Sequence, residues 1–289
     1  MRTLRAATRG SPLARWQAEH VAARLRAIDP TVEVELVVVD THGDRRLDVP
    51  IWELGGKGVF AKEVQTAVLE GRADLAVHSA KDLPSGLVPG LVIAAVPERG
   101  DPRDALVGST LADLPQGAEV ATGSLRRQAE LQRHRPDLRF VSLRGNMQTR
   151  IAKAAEHDAA VVAAVALERL GLHHHIAERL GTDVMLPQVA QGALAVECRE
   201  DDVELRAQLA RIEDAPSRRC VDAERAFLAE LGGDCSLPAG AHAVVDGGHL
   251  HLRAFLAAPD GGTMHRHEQH GDDASVGTEV ARHLRAAVG

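Results

Sequence analysis

The chain has 289 residues, 45% hydrophobic and 26% charged, a globular balance that excludes wholesale disorder. That length exceeds one typical core and predicts two or three domains. A net charge of −7 and an aromatic content of 2%, with no Tyr, argue against a nucleic-acid binder, which needs surplus basic charge and stacking faces.

Three cysteines, Cys198, Cys220 and Cys235, are far apart and lack CxxC spacing, so neither a disulfide framework nor a zinc site is expected. The N-terminus lacks an apolar signal core, and no stretch approaches the roughly 20 apolar residues of a membrane span. The expectation is a soluble cytoplasmic protein with no membrane partner.

In chain order, TLRAAT (3–8) reads as a strand and RGSP (9–12) as a turn. Ser11 can cap a helix with Pro12 at its first position, and Leu13, Trp16, Val21, Leu25 and Ile28 recur at helical spacing. VEVELVVVD (32–40) is a buried strand by its β-branched run. A polar connection with a Gly-rich end follows (41–58), long enough to suggest a mobile lid over 43–58. KEVQTAVLEG (62–71) reads as a helix, RADLAVHS (72–79) and LVIAAVP (91–97) as strands.

A second block opens near ERGDPRDAL (98–106) and repeats this grammar. AEVATGS (118–124) is a strand, LRRQAELQRH (125–134) a helix, and LRFVSLR (138–144) a strand. A helix follows from about Met147, then the apolar run DAAVVAAVAL (158–167). The alternation predicts α/β domains with parallel sheets covered on both faces. After a strand-rich return segment (185–200) the style changes: a helix (221–233), two strands (241–246 and 249–257), a polar Gly/His stretch and a final helix (276–287). The expected division is 1–97 with 188–211, 98–187, and a small α+β domain over 215–289.

The chemistry lies in where the arginines fall. Arg9 follows the first strand, Arg126 and Arg127 open a helix, Arg144 ends a strand, and Arg150 sits early in the next helix. Cations at helix starts oppose the macrodipole, so repeated placement there points to an anion completing the site. One such arginine is better explained as solvated surface; recurrence at separate strand–helix junctions is not. The crevice beyond strand C-termini is also where α/β sheets bind ligands, and the guanidinium fork suits carboxylate and phosphate alike.

Lys57 sits in GGKG, which is not a phosphate-binding P-loop. Lys81 and Asp82 adjoin at a strand end; a carboxylate there suits a cationic centre or a ligand N–H, though a surface Lys-Asp turn is an equal alternative. Cys235, on a Gly-flanked loop, is a candidate nucleophile, whereas Cys198 and Cys220 read as small core residues. The histidines lack a completing carboxylate or thiolate, so no metal is expected. A two-lobed anion-binding or ligand-sensing protein shares this architecture but gives no use to Lys81, Asp82 or a loop cysteine. A phosphate-ester enzyme would need a metal or P-loop.

TRGSPLA, GGKGVFAKE, ADLAVHSAKDLP, DPRDAL, GSLRRQAEL, SLRGNMQTR, QGALAVECR and CSLPAGAHA occur in order between residue 3 and about 257. Together they resemble the porphobilinogen deaminase (hydroxymethylbilane synthase) family. The resemblance implies two periplasmic-binding-protein-like α/β domains and a small C-terminal α+β domain. It also implies head-to-tail condensation of four porphobilinogen molecules into hydroxymethylbilane with loss of ammonia, a step of tetrapyrrole (haem) biosynthesis. The enzyme would be a cytoplasmic monomer primed on a dipyrromethane cofactor bound through Cys235. Asp82 would be catalytic. Lys57, Lys81, Asp82, Thr122, Ser124, Arg126, Arg127, Arg144 and Gly145 would hold the cofactor. Arg9, Ser11, Arg144 and Arg150 would hold substrate. The chain departs from the family pattern at Ala80, Gly123 and Asp234; a carboxylate beside Cys235 should raise the thiol pKa and slow loading.

Overall fold

The computed structural model describes residues 3–41, 61–233, 237–258 and 263–288. The proposed lid over 43–58 lies outside these residues. The chain forms two compact units, one of residues 1–100 and 193–218, the other of 101–192 and 219–289.

In the first unit, β1 (Thr3–Arg9) leads into α1 (Pro12–Ile28). Ser11 caps that helix, its Oγ accepting from the amide of Ala14 at 3.3 Å, and Pro12 occupies the first helical position where no N–H is needed. The helix buries Ala14, Gln17, Ala18, Val21, Ala22 and Leu25, one stripe at 3–4 residue spacing. β2 (Glu33–Val39), α2 (Lys62–Leu69), β3 (Leu75–Ser79) and β4 (Leu91–Ala95) follow. The sheet order is β2-β1-β3-β10-β4, with β10 (Leu194–Arg199) between β3 and β4 and followed by α6 (Val203–Ala210). Leu4, Val21, Leu25, Leu75, Val196, Leu205 and Leu209 pack one face; Val64, Ala67 and Val68 of α2 cover the other. Each fully buried Val or Leu contributes roughly 1.5–3 kcal/mol.

The second unit repeats the plan. β5 (Asp104–Val107), β6 (Glu119–Ala121), α3 (Leu125–His134), β7 (Arg139–Val141), α4 (Met147–Ala154), β8 (Ala159–Ala163), α5 (Ala164–Arg169) and β9 (Ile176–Arg179) build a sheet ordered β7-β6-β8-β5-β9. A three-stranded antiparallel sheet, β11 (Ala239–Asp246), β12 (His249–Ala257) and β13 (Met264–Gly271), belongs to the same unit with α8 (Ser275–Val288) and most of α7 (Ala215–Glu230).

Four details differ from the sequence reading, the first being β2, read as a buried strand, which is an edge strand with no buried residue. Both five-stranded sheets are mixed: β10 runs antiparallel to β3 and β4, and β5 antiparallel to β8 and β9. In each sheet this is the strand that enters on the chain's passage between units, without the crossover helix that enforces parallel pairing. The apolar run 158–167 divides at Ala163, where its Ala-rich second half turns helical. The polar Gly/His stretch holds β13, a mostly solvated edge strand whose His and Arg side chains hide its period-2 pattern.

Candidate active site

In the first unit the ends of β1 and β3 converge on one pocket. Arg9 is the last residue of β1, and Ser11 opens α1. β3 ends at Ser79 and passes into a single 3₁₀ turn, Ala80–Asp82, tied to the sheet by the Ala80 amide donating to the Ala193 carbonyl at 3.0 Å. Arg9, Ser11, Gln17, His78, Ser79 and Asp82 line the pocket. Arg9, Ser11, Lys81 and Asp82 are each half-buried, so their polar atoms are held yet reachable. The pocket thus sets one carboxylate against a guanidinium, two hydroxyls and the start of a helix.

Gln17 is a site residue that the sequence reading passed over. It is 3% exposed and donates from Nε2 to Ser79 Oγ at 2.8 Å. Its signal was positional: it falls four residues before Val21 on the apolar stripe of α1, where a carboxamide has no packing reason to be.

In the second unit the equivalent junctions carry Thr122, Ser124, Arg126, Arg127, Arg144, Gly145 and Arg150. Ser124 caps α3, accepting from the Arg127 amide at 3.5 Å, and its own amide donates to Thr122 Oγ1 at 3.3 Å. Asn146 caps α4 by accepting from the Thr149 amide at 2.9 Å. Gly145 lies at φ 115°, and a Cβ there would come within 2.6 Å of the Thr149 side chain, so this position requires glycine. Arg150 Nε donates to the Gly145 carbonyl at 2.9 Å, steadying the loop after Arg144.

Arg126 and Arg127 are 3% and 8% exposed, and both converge on Asp104 of β5. Arg126 Nη2 donates to one carboxylate oxygen at 2.7 Å, and Arg127 Nε and Nη2 to the other at 3.1 and 2.8 Å. Gln191 Nε2 adds a bond to that second oxygen at 3.0 Å. Arg126 Nη1 also reaches the Leu186 carbonyl, and Arg127 Nη1 the Val161 carbonyl. Burial alone would raise the Asp104 pKa, but the two guanidinium charges outweigh it and hold the carboxyl below the usual range. Two guanidiniums thus share one carboxylate, and the buried Glu130 carboxyl also acts on Arg126.

Lys57 and Cys235 lie outside the described residues. Cys198 is fully buried and its thiol is pushed up to about 11 by burial, which makes it a core residue. Cys220 is buried as well. Among the described residues no cluster of three His, Cys, Asp or Glu could hold a metal ion, and no helix is long and apolar enough to cross a membrane.

Arginines, hydroxyls and an aspartate stand at the strand ends of two α/β sheets of the same order, a set of groups whose chemistry suits a small polycarboxylate. Residues 4–207 match the family described as "Porphobilinogen deaminase, dipyromethane cofactor binding domain", and residues 218–286 match "Porphobilinogen deaminase, C-terminal domain". The chain is 50% identical over 266 residues to the porphobilinogen deaminase of Syntrophotalea carbinolica, spanning 90% of this chain and 84% of that relative. It is 47% identical to that of Syntrophus aciditrophicus, over 96% of this chain and 93% of the relative. Among solved structures, the methionine-binding protein MetQ aligns at 15% identity and a TM-score of 0.45, covering 73% of this chain and 89% of MetQ. The chain belongs to the porphobilinogen deaminase family.

Proposed function

We propose that this chain condenses four porphobilinogen molecules head to tail into hydroxymethylbilane, releasing ammonia at each step, and that Asp82 is its catalytic carboxylate. The observation that carries this reading is the pocket of the first unit, which sets Asp82 beside Arg9 and Ser11. Porphobilinogen carries an acetate and a propionate, a pyrrole N–H and an aminomethyl group. Arg9 and Ser11 suit the carboxylates; Asp82 suits the pyrrole N–H. When ammonia leaves, positive charge develops on the pyrrole, and a carboxylate fixed against that N–H stabilises it without reorganising. The same carboxylate is placed to handle the proton lost when the new carbon–carbon bond forms.

The second unit fits a dipyrromethane, whose four carboxylates require cationic and hydroxyl partners. A buried Arg126 Nε with no hydrogen-bond partner among the described residues suits an anion. Bound through Cys235, with Lys57, Lys81, Thr122, Ser124, Arg126, Arg127, Arg144 and Gly145 as its ligands, that group would supply the pyrrole α-carbon on which the chain grows. Arg144 and Arg150 would meet the carboxylates of incoming units. The Asp104 network keeps Arg126 and Arg127 in place before any ligand arrives, so a ligand is met by oriented charge. In this reading residues 215–289 act as the cofactor-carrying domain of a cytoplasmic monomer.

Intact mass under denaturing conditions tests the assignment. The purified chain is expected to carry an excess equal to two linked pyrrole units, and Cys235→Ala to lack it. A mass that stays at the bare polypeptide value after incubation with porphobilinogen defeats the proposal.

A further inference from the structure

Behind the pocket wall at His78 lies a buried polar cluster to which the proposed reaction assigns no part. His78 lines the pocket beside Asp82, yet it is only 6% exposed. Its Nε2 lies 3.1 Å from a carboxylate oxygen of Glu197, off the line of a well-formed hydrogen bond. Glu197 is 1% exposed, and Gln65 Nε2 donates to both its oxygens at 3.2 and 2.8 Å. Strand register explains the meeting. In the antiparallel β3/β10 pair His78 faces Ala195 and Ala76 faces Glu197, so His78 and Glu197 are diagonal neighbours on one face. Gln65 reaches Glu197 from α2, which otherwise covers this face with Val64, Ala67 and Val68.

Packing alone does not call for this trio. A buried charged cluster is commonly no more stable than apolar residues of the same volume, and the surrounding positions are apolar. The cluster stands at the end of β3, one residue before Ser79 and four before Asp82. We propose that His78, packed against Glu197, is a positioning residue for the condensation: it fixes the strand end from which the Lys81 and Asp82 turn projects. It acts through Asp82. This inference rests on the deaminase reading above.

A positioning role predicts a loss in kcat rather than in KM. In the loaded enzyme, His78→Leu is expected to lower kcat about 30- to 100-fold while KM stays within about threefold, since a misplacement near 1 Å costs on the order of 100-fold. His78→Gln, whose amide keeps a polar group of similar reach facing Glu197, is expected to recover to within about fivefold of the unaltered enzyme. Glu197→Gln removes the charge and sets one amide donor against that of Gln65; a drop of about tenfold in kcat is expected. Intact mass monitors pyrrole loading in each variant. Loaded His78→Leu with unaltered kcat overturns the proposal, and so does His78→Gln as impaired as His78→Leu. Should His78→Leu fail to fold, Glu197→Gln with unaltered kcat overturns it alone. If the unaltered chain makes no bilane and gains no pyrrole mass, the deaminase reading itself fails, a result distinct from either.

Discussion

The two units share a sheet order and place arginines at corresponding strand–helix junctions, yet they use charge in opposite ways. In the first, Arg9 and Asp82 are half-buried on the wall of an open pocket. In the second, Arg126 and Arg127 are buried and bound to Asp104, with Gln191 closing the network. On the proposed reading, the reachable charge of the first unit suits a ligand that comes and goes, and the buried charge of the second suits one that stays. Identical topology therefore does not dictate how a cation is employed; what stands beneath it in the sheet does.

The sharpest way to break this comparison is to remove one carboxylate from each side. Asp82→Asn should lower kcat by about 100- to 10,000-fold with little change in unfolding midpoint, measured by a stopped assay of bilane formation alongside urea denaturation. Near-normal turnover would remove Asp82 from the chemistry. Asp104→Asn should do the reverse in kind, because it leaves two buried guanidiniums uncompensated. A loss of about 3–5 kcal/mol in unfolding free energy is expected.

That second loss should depend on pH. The folded-state pKa of Asp104 is depressed, so its contribution is fully present above the ordinary carboxylate pKa of about 4 and is lost as pH falls through the depressed value. The stability gap between the unaltered chain and Asp104→Asn should therefore be widest near neutrality and narrow below about pH 4. A gap that is constant with pH would mean the carboxylate is not ionised against the arginines.

Arginine-to-lysine changes sharpen the contrast at a smaller scale. Arg9→Lys keeps charge but loses the fork, and should raise KM about tenfold with kcat nearly unchanged. Arg127→Lys cannot reproduce the paired bonds to Asp104 or the bond to the Val161 carbonyl, so its effect should show first in the unfolding curve.

Much of this was legible before any coordinates. Ser11 and Pro12 announced the start of α1 by local chemistry alone, and Arg9 and Asp82 stood at strand ends where α/β sheets bind ligands. What was not legible depends on pairing distant in sequence. Asp104 lies 22 residues before Arg126, on a strand inserted antiparallel into its sheet, and no periodicity reports that insertion. Glu197 and His78 meet only because β10 returns from far along the chain to pair with β3. Their one sequence signal is a charged residue inside the apolar run LAVEC.

Two buried alanines differ in backbone conformation. Ala7 in β1 and Ala190 in the second unit are both fully buried, but Ala190 lies at φ 58°, in the left-handed region. Its amide donates to Glu224 at 2.6 Å, and the next residue, Gln191, holds the Pro102 carbonyl and Asp104, so the loop is gripped on both sides. Removing a buried methyl costs about 0.8 kcal/mol. At Ala7 the strand's dislike of glycine adds to that, and Ala7→Gly should cost about 1–2 kcal/mol. At Ala190 the relief of a left-handed alanine, about 1–2 kcal/mol, opposes it. Ala190→Gly should therefore raise the unfolding free energy by about 0.2–1.2 kcal/mol over the unaltered chain. Equal losses at the two positions would show that the left-handed turn is not maintained in solution, and with it the route by which Gln191 reaches the arginine network.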